Sequence, residues 1–159
     1  MRILLVGVIL ILIAGCTTTP PPGVEYLDAA TAEESKRYDR FKGGVEETSP
    51  GSGEYEILVS VMNTRSKSTS FTLVVEDENG SRTIWKSERI TEHVDPLGEP
   101  TEAEASAATR MVAIKVKGLT PSIIVDGQEF EITVKVDHSA LWLVLLHNNG
   151  ANAAHMDMH

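Results

Sequence analysis

Apolar and polar residues alternate with a period of two over most of this chain, and this alternation constrains its fold more than any other sequence feature. In the segment 54–61, for example, Tyr55, Ile57, Val59 and Val61 are spaced by other residues that include two glutamates. Period two is typical of strands with one buried face, because successive side chains of a strand point to opposite faces of the sheet. The alternation and a few short apolar runs predict six to seven strands, within residues 54–61, 71–76, 82–86, 112–117, 123–125, 130–136 and 141–146.

Turn signals separate the predicted strands. Asn79-Gly80 precedes the strand that contains Trp85, and we expect a type I′ turn there because Asn and Gly tolerate positive φ best. Asp126-Gly127 is a second turn signal. Residues 92–108 interrupt the alternation with prolines and several glutamates, which predicts a long acidic excursion containing a single helical turn.

The predicted fold class is all-β, an immunoglobulin-like antiparallel β-sandwich over residues 54–147. Strands with one buried face need a second sheet to cover that face, and two antiparallel sheets packed face to face satisfy this need. A small barrel is the alternative. Cys16 is the only cysteine, so the disulfide-bearing branch of immunoglobulin domains is excluded and the fold depends on its apolar core.

One part of the predicted sandwich carries a family resemblance. Lys117-Gly118-Leu119-Thr120-Pro121, followed by Phe130-Glu131-Ile132-Thr133-Val134, resembles the Gly-Leu-x-Pro … Tyr-x-Val-x-Val stretch of fibronectin type III domains. Phe130 stands where that family has a tyrosine, and the spacing between the two halves is longer. The segment 125–130 also resembles a strand onset in bacterial and archaeal surface sandwich domains. These resemblances imply a fold class and not a function.

The extreme N-terminus has the parts of an export signal. Arg2 precedes an apolar run over 3–13, which is shorter than the ~18 residues of a membrane-spanning helix. The tetrapeptide Ile13-Ala14-Gly15-Cys16 closes this run and resembles the lipobox of bacterial and archaeal lipoproteins. That resemblance implies a signal peptide over 1–15, cleavage before Cys16 and a diacylglyceryl group on its thiol. The alternatives are an uncleaved anchor and a secretory signal that is cut elsewhere without lipidation.

Residues 16–53 are predicted to be a tether and linker between the lipid and the sandwich. Pro20–Pro22 favours an extended, semi-rigid spacer of the polyproline type. Thr31 and Glu34 have the spacing of a capping box, which predicts a short helix within the linker. We expect that helix to lean on the domain or to form only in part.

The C-terminal segment 148–159 is predicted to be a flexible tail that carries potential metal ligands. Thioether sulfur selects Cu(I), and imidazole suits Cu(II), zinc and nickel. Copper is therefore the alternative to the main expectation of no cofactor. Ordering a flexible tail around a metal costs backbone entropy of ~1–2 kcal/mol per residue, which opposes this alternative. The candidate ligands are His147, His155, Met156, Met158 and His159.

Charge and motifs restrict the function classes. The formal net charge is −9, which opposes nucleic-acid binding because phosphate contacts need Lys and Arg. The sequence has no Gly-x-Ser-x-Gly elbow, no His-Glu-x-x-His motif and no phosphate loop, and we predict no enzyme activity.

The sequence therefore predicts a lipid-anchored, extracytoplasmic module with a non-enzymatic binding or structural role. Its membrane contact is the lipid on Cys16, in the outer membrane where the source has one. A protein at the cell envelope is the expected partner, with the 92–108 excursion as the candidate contact surface. The alternative is an extracytoplasmic copper-binding protein or metallochaperone that uses the C-terminal histidines and methionines.

Overall fold

Nine strands and two helices occupy residues 19–28, 31–95 and 97–156, which are the residues that this computed structural model describes. The signal peptide, Cys16, Met158 and His159 lie outside the described residues. The elements, in chain order, are β1 (Val24–Leu27), α1 (Ala32–Lys42), β2 (Glu54–Asn63), β3 (Thr72–Glu76), β4 (Arg82–Lys86), α2 (Glu102–Ala107), β5 (Thr109–Lys117), β6 (Ser122–Val125), β7 (Gln128–Glu131), β8 (Leu141–His147) and β9 (Gly150–His155).

The strands divide into two sheets. A five-stranded sheet has the order β1-β5-β2-β8-β9, and a four-stranded sheet has the order β4-β3-β6-β7. Residues from both sheets belong to one buried apolar cluster, including Val59 and Ile114 from the first sheet and Leu73 and Ile123 from the second. The prediction of a mostly β chain with two sheets is confirmed.

Strand β2 lies at the centre of the first sheet, and both of its faces are covered. Leu58 and Val59 point to opposite faces, yet each is almost completely buried. Helix α1 packs against β2, and Phe41 and Val45, near the end of that helix, belong to the core. The backbone of Ala140 links the two elements, since its N–H donates to Phe41 and its carbonyl accepts the N–H of Leu58, both at 2.8 Å.

One strand pair departs from the predicted antiparallel arrangement. β2 and β8 are parallel, with Leu58 opposite Leu141 and Asn63 opposite Leu146. The other strand pairs among the described residues are antiparallel. β8 is parallel to β2 because the chain forms the whole second sheet between these two strands and then re-enters the first sheet in the direction of β2.

The first sheet extends beyond the predicted sandwich limits of 54–147 at both ends. β1, which the sequence assigned to the tether, pairs with β5 and buries Val24 and Leu27. Residues 150–155, assigned to a flexible tail, form β9 and pair with β8. The tail expectation is therefore wrong for these residues, because backbone pairing and the fully buried Ala151 fix a segment that has no large apolar side chain.

The two hairpin turns of the second sheet differ in kind. Gly80 has a φ of +75°, but Asn79 does not have positive φ, so the predicted type I′ turn is wrong. The backbone N–H of Asn79 instead donates to the carboxylate of Asp77 at 2.9 Å, which shapes a longer loop. Asp126 and Gly127, between β6 and β7, have φ values of +50° and +80°, as a type I′ turn requires.

Threonines cap both helices. Thr31 accepts the backbone N–H of Glu34 at 3.2 Å at the start of α1, which is one half of the capping box that their spacing predicts. The other half does not form, because the N–H of Thr31 donates to the carbonyl of Asp28 at 3.1 Å. Within the 92–108 excursion, α2 has six residues where a single turn was expected. Thr101 and Glu104 form a reciprocal capping box there, which explains why so short a helix is stable at that position.

Candidate functional site

The residues predicted as metal ligands do not come together in the part of the chain that the structure describes. In the β8–β9 hairpin, His147 lies beside the turn, whereas His155 pairs with Trp142 at the other end. Their levels on the hairpin are five residue pairs apart, which corresponds to ~17 Å at about 3.4 Å per residue. His147 is therefore too far away to share a metal ion with His155. Met158 and His159 lie outside the described residues.

Protein contacts hold His155 and Met156 in place. The ring of His155 lies 5.0 Å from that of Trp142, and its Nε2 is 2.7 Å from the carbonyl oxygen of Ser139. The N–H of Met156 donates to the carbonyl of Leu141 at 2.9 Å. These contacts hold the end of β9 against β8. Among residues 19–28, 31–95 and 97–156, no group of three His, Cys, Asp or Glu side chains is arranged to hold a metal ion.

The 92–108 excursion, predicted as the contact surface, is anchored by a buried asparagine at the end of β2. The side chain of Asn63 is fully buried, and its Nδ2 donates to the carbonyls of Glu92 at 2.9 Å and Lys67 at 3.1 Å. The carbonyl of Asn63 accepts the N–H of Val94 at 3.1 Å. The tip beyond this anchor carries Leu97, which is 91% exposed.

A cleft of about 1050 Å³ lies where this excursion meets the rest of the domain. We call it the helix cleft, because two of its walls are the N-terminal half of α1 and one side of α2. The other walls are the end of β1, the start of β5 and Glu88 after β4. The pairing of Leu27 with Met111 brings the two strands to the same level. The volume of this cleft is at the upper end of the range of ~300–1,000 Å³ for small-ligand pockets.

Carboxylates dominate the charged groups that line the helix cleft. Five acidic side chains line it against one guanidinium, that of Arg110. A cleft lined by one sign of charge focuses its potential and attracts groups of the opposite sign. Oε2 of Glu34 is buried and has no hydrogen-bond partner among the described residues. The five acidic residues are Asp28, Glu33, Glu34, Glu88 and Glu102.

Two tyrosines and a methionine give the helix cleft an apolar part. Tyr26, Tyr38 and Met111 are partly buried and pack against the core. The ring of Tyr26 meets that of Trp85 edge-on at 5.0 Å, and its hydroxyl oxygen accepts the N–H of Glu88 at 2.8 Å. Burial raises the pKa of Tyr26, so the phenol stays neutral and contributes no charge at physiological pH.

Two arginines of α1 fix that helix, and with it one wall of the helix cleft, to the first sheet. Arg37 pairs with Glu25 of β1 at 2.9 Å and with Glu56 of β2 at 2.7 Å. Arg40 pairs with the other oxygen of Glu56 at 2.6 Å. The carboxylate of Glu56 is 15% exposed, and these charge-assisted bonds satisfy both of its oxygens. The first turn of α1 therefore has a defined position over β1.

The helix cleft was not among the sequence predictions. The threonine that caps α1 and the acidic residues of the excursion are visible in the sequence. Nothing local indicates that the two helices line one cleft, because they lie some sixty residues apart in the chain and the pairing of β1 with β5 brings them to one end of the sheet.

No helix within the described residues is both long enough and apolar enough to cross a membrane. Comparisons with protein-family models, with curated proteins and with solved structures found no match to this chain. The function is therefore inferred from the geometry and the sequence of the chain itself.

Proposed function

We propose that this chain is a lipid-anchored, extracytoplasmic domain that binds a protein partner at the cell envelope without catalysing a reaction. The observation that carries the proposal is how soon the fold begins after the lipobox cysteine. The N–H of Val24 donates to the carbonyl of Pro21 at 3.0 Å, and the carbonyl of Gly23 accepts the N–H of Lys115 at 2.8 Å. The chain is thus hydrogen-bonded to the first sheet from Gly23, seven residues after Cys16.

Such a short connection supports a domain held close to a bilayer. A fully extended chain spans at most ~3.6 Å per residue, so the eight steps from Cys16 to Val24 cover less than about 30 Å. A diacylglyceryl group supplies two acyl chains, and stable anchoring usually takes two such signals. The acidic net charge of −9 opposes binding to anionic headgroups, and the proposal therefore assigns membrane attachment to the lipid alone.

The position of the helix cleft supports the binding role. β1 begins beside the tether at Val24, and the cleft lies at its other end, near Leu27. That end is ~10 Å farther along the strand, at about 3.4 Å per residue. A partner can approach the cleft without displacing the tether.

The proposal includes the immunoglobulin-like class of the domain. The antiparallel hairpins β3–β4 and β6–β7 support it. So does the stretch that resembles fibronectin type III domains, in which the N–H of Val134 donates to the carbonyl of Leu119 at 2.7 Å. The parallel pairing of β2 with β8 is the feature that an immunoglobulin-like assignment has to accommodate.

The lipid anchor is tested by expressing the full chain in a bacterium that processes lipoproteins. We expect the parent chain to fractionate with membranes, to lack residues 1–15 and to carry a diacylglyceryl group on Cys16 by mass spectrometry. Cys16→Ser removes the acceptor thiol, and we expect that variant to lack the lipid. Thr17→Ser is the matched control and should behave as the parent. A parent chain that is cut elsewhere and carries no lipid would contradict the proposal.

A further inference from the structure

We infer that the helix cleft binds a basic segment of the partner protein in which Lys or Arg residues alternate with apolar residues. This inference rests on the proposed binding role and specifies the chemistry of the partner. The cleft is lined by the N-terminal half of α1, one side of α2, the end of β1, the start of β5 and Glu88 after β4.

The charge of the lining selects a cationic partner. Five carboxylates face one guanidinium, and that guanidinium, on Arg110, donates to the neighbouring carbonyl of Thr109 at 2.9 Å. Complementary charge steers association and excludes partners of the wrong sign. An acidic or phosphorylated segment would meet like charge from α1, from α2 and from Asp28 and Glu88, with Arg110 as the one opposite charge.

The apolar part of the lining selects a segment over a small cation. Tyr26, Tyr38 and Met111 offer partly buried apolar surface beside the carboxylates. Lys and Arg side chains combine an apolar stem with a charged end, and they stack on aromatic rings. A calcium ion needs six to eight converging oxygen ligands. Within the described residues no three carboxylates converge in that way.

One carboxylate oxygen in the helix cleft lacks a partner. Oε2 of Glu34 is buried, and no described residue donates a hydrogen bond to it. A buried acceptor without a donor destabilises the structure that contains it. Glu34 also lines the cleft, and an ammonium or guanidinium group of a bound segment would supply that donor once the side chain turns this oxygen toward it.

Fluorescence anisotropy with labelled pentapeptides tests the inference. The full chain is kept in solution with a non-ionic detergent, whether or not Cys16 carries a lipid, and detergent alone is the blank. Labelled Lys-Val-Lys-Val-Lys is then titrated with the chain. We expect saturable binding that weakens as salt is added. Lys-Ser-Lys-Ser-Lys, with the same charge, should bind several-fold more weakly, and Glu-Val-Glu-Val-Glu should not bind.

Two triple variants with the same net charge locate the binding site. Glu33→Gln, Glu88→Gln and Glu102→Gln together reduce the formal charge of the cleft lining from −4 to −1, and we expect affinity for Lys-Val-Lys-Val-Lys to fall about tenfold. Glu46→Gln, Glu129→Gln and Glu131→Gln neutralise exposed carboxylates outside the cleft and should change the affinity less than about twofold. Circular dichroism of both variants verifies that each is folded.

Several results would overturn the inference. Equal weakening by the two triple variants would mean that the whole acidic surface attracts the peptide. Equal affinity for the valine and serine peptides would mean that the apolar part is not used, and no binding of any peptide would remove the cleft as a site for basic segments. Mass spectrometry of Cys16 tests the lipid anchor and not the cleft, so either proposal can be contradicted without the other.

Discussion

Among the glycines that the structure describes, Gly118 is the one at which an added Cβ would meet the closest contact. It has a φ of +81°, and a Cβ built there would lie 2.2 Å from Cδ of Glu78. The carboxylate of Glu78 accepts three hydrogen bonds beside this glycine: from the hydroxyl of Thr120 at 2.9 Å, and from the N–H groups of Thr120 and Leu119 at 3.0 Å. Gly118 thus leaves room for a carboxylate that joins the β3–β4 turn to the loop after β5.

We predict that Gly118→Ala destabilises the domain more than Gly80→Ala does. Both glycines have positive φ, and an alanine there costs about 1–2 kcal/mol. A Cβ at Gly80 meets nothing within 4 Å, so this variant is the matched control for backbone strain alone. Gly118→Ala also displaces the carboxylate of Glu78. Urea denaturation of both variants measures the difference, and equal destabilisation would contradict the role of Glu78.

The difference in stability between Gly118→Ala and Gly80→Ala should depend on pH. Hydrogen bonds from the Thr120 side chain, and then from the backbone of Thr120 and Leu119, hold the pKa of Glu78 below its ordinary value of 4.5. A lowered folded-state pKa stabilises the fold at pH above that ordinary value, and the stabilisation is lost as pH falls through the lowered pKa. Gly118→Ala should therefore differ from Gly80→Ala at neutral pH and approach it in acid. NMR titration of Glu78 should show its pKa rising in Gly118→Ala only.

Among the elements, the 92–108 excursion depends on a single buried side chain. We predict that Asn63→Ala destabilises the domain by about 2–4 kcal/mol, because it leaves the carbonyls of Glu92 and Lys67 without their donor. Hydrogen exchange at the amide of Val94, which donates to the Asn63 carbonyl, should become faster. Asn152→Ala, on the exposed side of β9, is the matched control and should change stability by less than about 0.5 kcal/mol. Unchanged exchange at Val94 would contradict the anchor.

The sequence predicted an element well when buried side chains hold it in place and poorly when backbone hydrogen bonds do. β2 and β4 lie where alternation placed them, because alternation records which side chains are buried. No alternation of large apolar and polar residues marks β9, because backbone hydrogen bonds hold Gly150–His155 in the sheet and its side chains are small. In the predicted strand 130–136, β7 ends at Glu131, and Ile132 and Val134 remain buried whereas Val136 is exposed. The pattern thus predicted burial for only part of this run, without regular pairing.

The candidate site was less predictable than the elements because tertiary contacts assemble it. Glu33 of α1 and Glu102 of α2 each lie in the first turn of a helix, where an acidic residue is favourable whether or not a site exists. Their approach to one cleft depends on β1, a four-residue strand that the sequence assigned to a tether. Conversely, His147 and His155 are near in sequence, but they lie at opposite ends of the β8–β9 hairpin.

At the scale of the whole molecule, one arginine connects the two sheets. Arg65 follows β2 in the first sheet, and its side chain donates to the carbonyl of His147 at 3.2 Å. It also pairs with Asp126, in the β6–β7 turn of the second sheet, at 2.7 Å. Asp126 in turn accepts the N–H of Thr72 at 2.8 Å. This contact closes one end of the two-sheet structure, and none of its partners is close to another in sequence.

The extent of the cooperative unit can be tested by truncation. We predict that a chain of residues 20–156 folds and that a chain of residues 54–147 does not. The shorter chain loses β1, α1 and β9, and with them core residues that the longer chain retains. Burial of a large apolar side chain contributes about 1.5–3 kcal/mol, so losing four of them removes roughly 6–12 kcal/mol. The core residues lost are Val24, Leu27, Phe41, Val45 and Ala151.

That loss is comparable to the whole stability of a typical domain, ~5–15 kcal/mol, which is why the short chain should show no cooperative unfolding. Urea titration followed by near-ultraviolet circular dichroism of Trp85 and Trp142 distinguishes the two chains, since both contain these residues. A chain of residues 20–147, which lacks only β9, is the intermediate control and should unfold at a lower urea concentration than 20–156. Equal transitions for 54–147 and 20–156 would mean that β1, α1 and β9 are appendages, and the helix cleft would then have no fixed walls.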